Sequence, residues 1–316
     1  MEEIKEIWKT CCALIDEVGK AVIGKNNVLK YVIAGILSNG HILFEDFPGL
    51  AKTMMARTFA MALGCGFRRV QFTPDVLPAD IIGTYIFKEM KGDFKLRQGP
   101  IFTNILLADE INRAPPKTQS ALLEAMQETQ VTIEGITHPL PKPFIVFATQ
   151  NPIEYEGTYP LPEAQIDRFL MKLRMGYPSR GDEKEILKRR IKREKDEVDI
   201  NSITNPETVR KMQNTVEKVH IDDSLQDYIV EIVSRTRKDP RILLGASPRG
   251  SLALFKISRA LALLGGRDYV SPDDVKSSVI PGLAHRLILK PEVKVRGIEP
   301  EDILNKIMME VPVPAL

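Results

Sequence analysis

The stretch HILFEDFPGLAKT, residues 41–53, closes on Gly49, Lys52 and Thr53. These residue types are suited to phosphate. Backbone N–H groups of a glycine-containing loop can cradle anionic oxygens at a helix start, a lysine can meet the β and γ phosphates, and a hydroxyl can face Mg²⁺. The general pattern G-x-x-x-x-G-K-S/T would place glycines at positions 46 and 51, where this chain has Asp46 and Ala51. A carboxylate beside phosphates is unfavourable unless it points away or meets a cation. A methyl group at Ala51 is tolerated if that residue enters the helix with a helical φ.

Two further sets of polar residues follow apolar runs. NILLADEINRAPP carries Asp109 and Glu110 directly after a run that reads as a buried strand. The C-terminal ends of such strands form the ligand crevice of an open α/β sheet. There Asp109 can order the water shell of Mg²⁺ beside Thr53, and Glu110 can orient and deprotonate an attacking water. IVFATQNP delivers Gln150 and Asn151 in the same manner. A neutral amide at that edge can position the water or touch the γ-phosphate, whereas Asn151-Pro152 alone is only a turn signal.

The elements that must position these groups are legible from periodicity. IKEIWKTCCALIDEVGK and NNVLKYVIAGILSNG have helical spacing, HILFE reads as a strand, and KTMMARTFAMALG reads as a helix closed by Gly64. Strands follow at RRVQFT, NILLAD and PFIVFATQ, with the helix PKTQSALLEAMQE between the last two. This alternation predicts a mostly parallel sheet covered on both faces. GTYIFKEMKGDFKLRQGPIF and VTIEGITHPL interrupt it as hairpins turning near 91–93 and near Gly135. From about Gly181 onward the chain reads as helical with short breaks, which sets a domain boundary near Pro178. DEKEILKRRIKREKDE is expected to be a solvated helix face.

The bulk properties narrow the classes. A length of 316 residues suggests about two domains, and 43% hydrophobic with 27% charged residues supports a buried core rather than disorder. A net charge of +2 lacks the basic excess of a dedicated nucleic-acid protein. The opening MEEIKEIWKT is acidic and no apolar run approaches the ~20 residues of a membrane span, so a cytoplasmic protein without membrane insertion is expected. Cys11, Cys12 and Cys65 have neither disulfide nor zinc spacing and are expected to act as small hydrophobes. The scattered histidines His41, His138, His220 and His285 show no metal spacing.

FTPDVLPADIIGT, LLADEINRAPPKTQSALLEAMQE and ATQNPIEYEGTYPLPEAQIDRF closely resemble the MoxR family of AAA+ ATPases, in the branch with a helix-2 insert. The resemblance covers residues 23–177 and continues more loosely through GASPRGSLAL. It implies an α/β AAA+ P-loop core with N-terminal helices over residues 1–178, then an α-helical lid over 179–316. It also implies ATP and Mg²⁺ as cofactors, a homo-oligomeric ring with a hexamer as the expected size, and a chaperone-like task. The partner would be a protein with a von Willebrand factor A-type domain or a metal-dependent complex, with nucleic acid not expected. A nucleotide-gated scaffold and a nucleic-acid motor are the alternatives.

The resemblance also assigns residues. Gly-Leu-Ala-Lys-Thr is a common form of the loop in such proteins, so Phe47, Pro48, Gly49, Leu50, Ala51, Lys52, Thr53 and Met54 are expected to bind the nucleotide. Thr53 and Asp109 are expected to hold the metal, and Glu110 to act in catalysis. AVIGK places Val22, Ile23 and Gly24 against the adenine. Asn151 matches the first sensor, Arg168 in QIDRF the arginine finger at a neighbour's γ-phosphate, and Arg249 in SPRG the second sensor, acting on its own subunit's nucleotide or a neighbour's. A salt bridge to Asp167 or Glu163 is the alternative for Arg168. The hairpins resemble the helix-2 insert and the pre-sensor-1 hairpin, with Phe87, Phe94 and Ile136 as first client contacts.

Overall fold

The computed structural model describes residues 2–47, 49–88, 93–151 and 158–314. Two helices, α1 (Glu2–Gly19) and α2 (Asn26–Leu37), precede β1 (Ile42–Glu45), α3 (Lys52–Ala62) and β2 (Phe67–Gln71). Next come α4 (Pro78–Ile82), the hairpin β3 (Gly83–Lys88) and β4 (Asp93–Gln98), then β5 (Ile105–Asp109) and α5 (Pro116–Glu128). A second hairpin, β6 (Gln130–Ile133) and β7 (Ile136–Pro139), leads to β8 (Ile145–Gln150), α6 (Glu163–Ile166) and β9 (Met171–Leu173).

β2, β5, β8, β1 and β9 lie side by side in that order as one parallel sheet. Its inner strands are continuous apolar runs because both faces are covered. On β5, Ile105 and Leu107 enter the apolar cluster shared with α1, α2 and α3, whereas Leu106 and Ala108 enter the cluster shared with α5. The period of two along a strand produces this division. β2 is an edge strand, which explains how FRRVQ can hold two exposed arginines. β9 was not predicted. Three residues are too few for a periodic signal, and it forms where MKL can pair with β1.

Beyond β9 the chain forms α7 (Arg180–Arg193), α8 (Pro206–Val216), α9 (Asp223–Lys238), β10 (Ile242–Leu244), α10 (Pro248–Leu264), α11 (Pro272–Leu283), β11 (Ile288–Leu289), α12 (Pro291–Val295) and α13 (Pro300–Glu310). The short antiparallel pair β10–β11 lies inside a region expected to be helical with breaks. α7 has no buried residue, as its charge pattern predicts, and Ser179 caps it through the Asp182 amide. α10 packs on α9 and α11 and also on α1 and α2, so one apolar cluster runs from the sheet into the C-terminal helices.

Both predicted hairpins form. β6 and β7 turn at Glu134 and Gly135, both with positive φ. β3 and β4 pair from Gly83↔Gln98 to Lys88↔Asp93. Lys91 and Gly92 of the expected turn lie outside the described residues. Among the described residues no helix is long and apolar enough to cross a membrane.

Candidate active site

The loop after β1 opens into a cavity of about 430 Å³ at the C-terminal ends of β1, β5 and β8. Gly49, Leu50, Ala51, Lys52, Thr53 and Met54 line it from one side, and Asp109, Glu110 and Asn151 from the other. Gly49 adopts φ +84°, and a Cβ added there would meet nothing within 4 Å, so backbone conformation rather than space calls for glycine. Ala51 corrects the sequence reading. Its φ of 56° and ψ of 18° are left-handed, because the last loop residue must reverse the chain into α3. For alanine this conformation costs roughly 1–2 kcal/mol relative to the right-handed helix. The first turn of α3 carries no acid, which suits an anion at its N-terminus.

Lys52 donates to the Asp46 carbonyl at 2.8 Å. Burial holds its ammonium below the usual lysine value, while Asp46, Asp109 and Glu110 work in the opposite sense. Asp46 also lines the cavity, with its carboxylate taken up by backbone N–H groups. It is 6% exposed and accepts N–H bonds from Met175 at 2.5 Å and Gly176 at 3.1 Å.

Each acid at the end of β5 is held in place. Asp109 accepts from Thr149 Oγ1 at 2.6 Å, and the same hydroxyl accepts the Glu110 N–H at 2.8 Å. On the solvent side Arg69 donates twice to Asp109 Oδ2, at 2.8 and 3.0 Å. Arg69 also donates to the Gln71 side-chain oxygen Oε1 at 2.7 Å, and Gln71 Nε2 donates to the Glu110 carboxylate at 2.9 Å. Arg113 lies 3.1 Å from Glu110. Among the described residues no three His, Cys, Asp or Glu side chains converge on a metal. One hydroxyl and one carboxylate suit a hydrated Mg²⁺ shared with phosphates, the usual mode for that ion.

A second cavity of about 360 Å³ shares Gly49, Leu50, Ala51 and Met54 with the first and is lined by Val22, Ile23, Met175 and Ile186. Its apolar residues are joined by the charged side chains of Lys20, Lys25, Arg189, Arg190, Arg193 and Asp196. Gly24 is not among its described lining residues. It takes φ +73° beside Asp182, and a Cβ there would lie 2.2 Å from the carboxyl carbon. Phe47 is exposed with its ring stacked on Tyr177 and is not among the lining residues of either cavity. Pro48 lies outside the described residues.

The two arginines are elsewhere. Arg168 and Arg249 line a third cavity with Asn39, Gly40 and His41, residues that precede β1. They therefore sit at the N-terminal end of the sheet, and β1 separates them from the phosphate loop that follows it. Arg168 makes neither of the ion pairs expected as its alternative: among the described residues its Nε is buried without a partner. Asp167 instead binds Arg286 at 2.9 Å and Ser247 at 3.0 Å, with Arg249 3.6 Å away.

Comparison with known proteins decides the family. The ATPase family associated with various cellular activities (AAA) matches residues 41–171, and the AAA lid domain matches residues 234–307. Chaperone MoxR1 of Mycobacterium tuberculosis is 44% identical over 95% of this chain and 81% of its own length. The chain belongs to the MoxR family of AAA+ ATPases. Another relative, the uncharacterized protein YeaC of Bacillus subtilis, is 50% identical over 95% of this chain and 93% of its own. A crystal structure of a protein from Cytophaga hutchinsonii superposes with a TM-score of 0.92 at 43% identity, covering 99% of this chain and 98% of that one.

Three residues of this MoxR-family site escape sequence reasoning. Thr149 precedes the amide pair by one position, and its role depends on β8 lying beside β5. Arg69 and Gln71 belong to β2, which reads from sequence only as a strand and which the structure places at the sheet edge. Only the pairing Gln71↔Asp109 brings them to the acids. The usable signal was their i, i+2 spacing, which places both on one face of β2.

Proposed function

We propose that this MoxR-family chain hydrolyses ATP with Mg²⁺ and works as a homo-oligomeric ring, of hexameric size by family resemblance, to remodel or activate a partner protein. The observation that carries the reading is the shared cavity in which Lys52 and Thr53 face Asp109, Glu110 and Asn151. Loop amides and Lys52 hold the phosphates, while Val22, Ile23 and Met54 hold the base. Thr53 and Asp109 hold Mg²⁺, whose chemistry is to neutralise charge developing on the phosphates. Glu110 orients and deprotonates the attacking water, and Asn151 positions that water or the γ-phosphate. Arg168 and Arg249, remote from their own subunit's loop, complete a neighbour's site; the position of Arg249 supports action in trans.

The division near Pro178 into core and lid, and a cytoplasmic location, belong to the same proposal. The exposed hairpin residues Phe87, Phe94 and Ile136 offer apolar surface to the client, with the Phe87 and Phe94 rings 5.3 Å apart. The chaperone name of the Mycobacterium tuberculosis relative supports a remodelling task, and family resemblance suggests a von Willebrand factor A-type domain protein or a metal-dependent complex as client.

Phosphate release in the presence of Mg²⁺ tests the reading. Wild type should turn over, and Glu110→Gln should bind ATP with similar affinity and release phosphate ~10²–10⁴-fold more slowly. Tight ATP binding without turnover by wild type would make the protein a nucleotide-gated scaffold instead. Wild-type turnover by Glu110→Gln would remove the base role from that residue.

A further inference from the structure

Asp46 stands where the general loop pattern has glycine, and nothing in the hydrolytic reading uses its carboxylate. A buried carboxylate is costly unless its oxygens are hydrogen-bonded. Here one oxygen takes the Met175 N–H and the other the Gly176 N–H. Two successive backbone N–H groups make an anion-binding concavity. The positive φ of Gly176 shapes this one, and a Cβ there would meet nothing within 4 Å. These residues lie between the end of β9 and the capped start of α7, on the passage from the sheet to the C-terminal helices.

Two further contacts hold the next residue, Tyr177. Phe47, next in the loop, stacks on Tyr177 at 6.3 Å and 27°, and Lys25 donates to the Tyr177 carbonyl at 2.9 Å. On the other side of Asp46, its own carbonyl accepts from Lys52. The catalytic lysine and the connection to the lid thus share one residue. A phosphate group that draws Lys52 toward itself must loosen the bond to the Asp46 carbonyl, and the carboxylate of that residue is fixed to Met175 and Gly176.

We propose that Asp46 is a positioning residue that couples the phosphate loop to the core–lid connection, so that engagement of Lys52 by nucleotide is transmitted through residues 175–177 to α7. The inference rests on the nucleotide reading of the loop. It accounts for the departure from glycine: a side chain at this position is a tether that glycine cannot provide.

Hydrogen exchange of the full chain, with and without a non-hydrolysable ATP analogue and Mg²⁺, tests it. In wild type the analogue should slow exchange in the loop and change exchange over 174–182. In Asp46→Ala at saturating analogue the loop should still be protected. The amides of Met175 and Gly176 should exchange at least tenfold faster, and the response of 174–182 to the analogue should vanish. Asp46→Asn keeps one acceptor oxygen and should restore part of that response. Tyr177→Ala alters an exposed side chain and serves if Asp46→Ala does not fold; it should at least halve the response with the loop still protected. A wild-type response in Asp46→Ala, or in both Asp46→Asn and Tyr177→Ala, overturns the coupling. Failure of wild type to bind the analogue would instead remove the nucleotide reading on which the coupling depends.

Discussion

At the scale of residues, the loop trades glycine for side chains at two places, with opposite consequences. Asp46 gains two hydrogen bonds, whereas Ala51 gains only strain, since its left-handed φ is the kind glycine adopts freely. Ala51→Gly should therefore leave stability unchanged or raise it by up to about 1 kcal/mol, the relief of a left-handed Cβ being offset by the greater freedom of glycine in the unfolded chain. Denaturant midpoints would show this, and a clear loss of stability would mean the alanine methyl makes a contact worth more than its strain. Arg69 presents a second expectation. Its guanidinium sits on the carboxylate proposed to serve Mg²⁺, so metal must compete with it. Arg69→Gln should lower the Mg²⁺ concentration needed for half-maximal nucleotide binding by about threefold to tenfold, a range reduced by the exposure of the arginine. An unchanged Mg²⁺ dependence would show that the pair yields without cost.

At the scale of elements, the sheet is held at its N-terminal end by a neutral histidine. His41, just before β1, accepts the Val146 N–H at Nδ1 and donates from Nε2 to the Met126 carbonyl, joining β1, β8 and α5. Burial pushes its pKa down to about 4, with Lys256 acting in the same sense and the Met126 bond against it. The folded state therefore refuses a proton that the unfolded chain accepts below the ordinary value of 6.5. The stability this provides is complete above 6.5 and falls as pH drops toward about 4, because the unfolded state then binds more protons. The imidazole NMR signals of His41 should stay flat through neutrality and move only near pH 4. A midpoint between 6 and 7 would mean that the ring is solvated and the three elements are joined otherwise.

At the scale of the whole molecule, the loop and the two arginines occupy opposite ends of one sheet, and a single chain cannot bring them together without rebuilding that sheet. The proposed catalytic unit is therefore a head-to-tail contact, which closes into a ring when the rotation permits. An arginine supplied from another chain is worth ~10³–10⁵ in rate. Activity per subunit should rise with protein concentration until rings are saturated, and Arg168→Ala should bind ATP and be nearly inactive. Mixing Arg168→Ala with Lys52→Ala should restore part of the turnover, because some intact loops then face an intact Arg168. Subunit exchange is verified first by energy transfer between labelled chains. Free exchange without recovery of activity, or activity independent of concentration down to monomers, would exclude action in trans.

The sequence by itself determined the strand–loop–helix order around Lys52, the apolar strands that end in Asp109 and Asn151, both hairpins and the helical C-terminal half. Each of these is a local pattern, set by side-chain period and by turn residues such as Gly135, and so can be read from neighbours in the chain. Family resemblance supplied the roles proposed for Arg168 and Arg249, which no spacing gives. Only the tertiary structure decided the rest, because the partners lie far apart along the chain. Asp46 finds its acceptor role 129 residues away at Met175, and Arg69 meets Asp109 40 residues on. The strand β9 exists because β1 offers it an edge, not because MKL is a strong strand former. The left-handed Ala51 was misread for the same reason: a backbone dihedral forced by the meeting of β1 and α3 leaves no mark on the side-chain pattern.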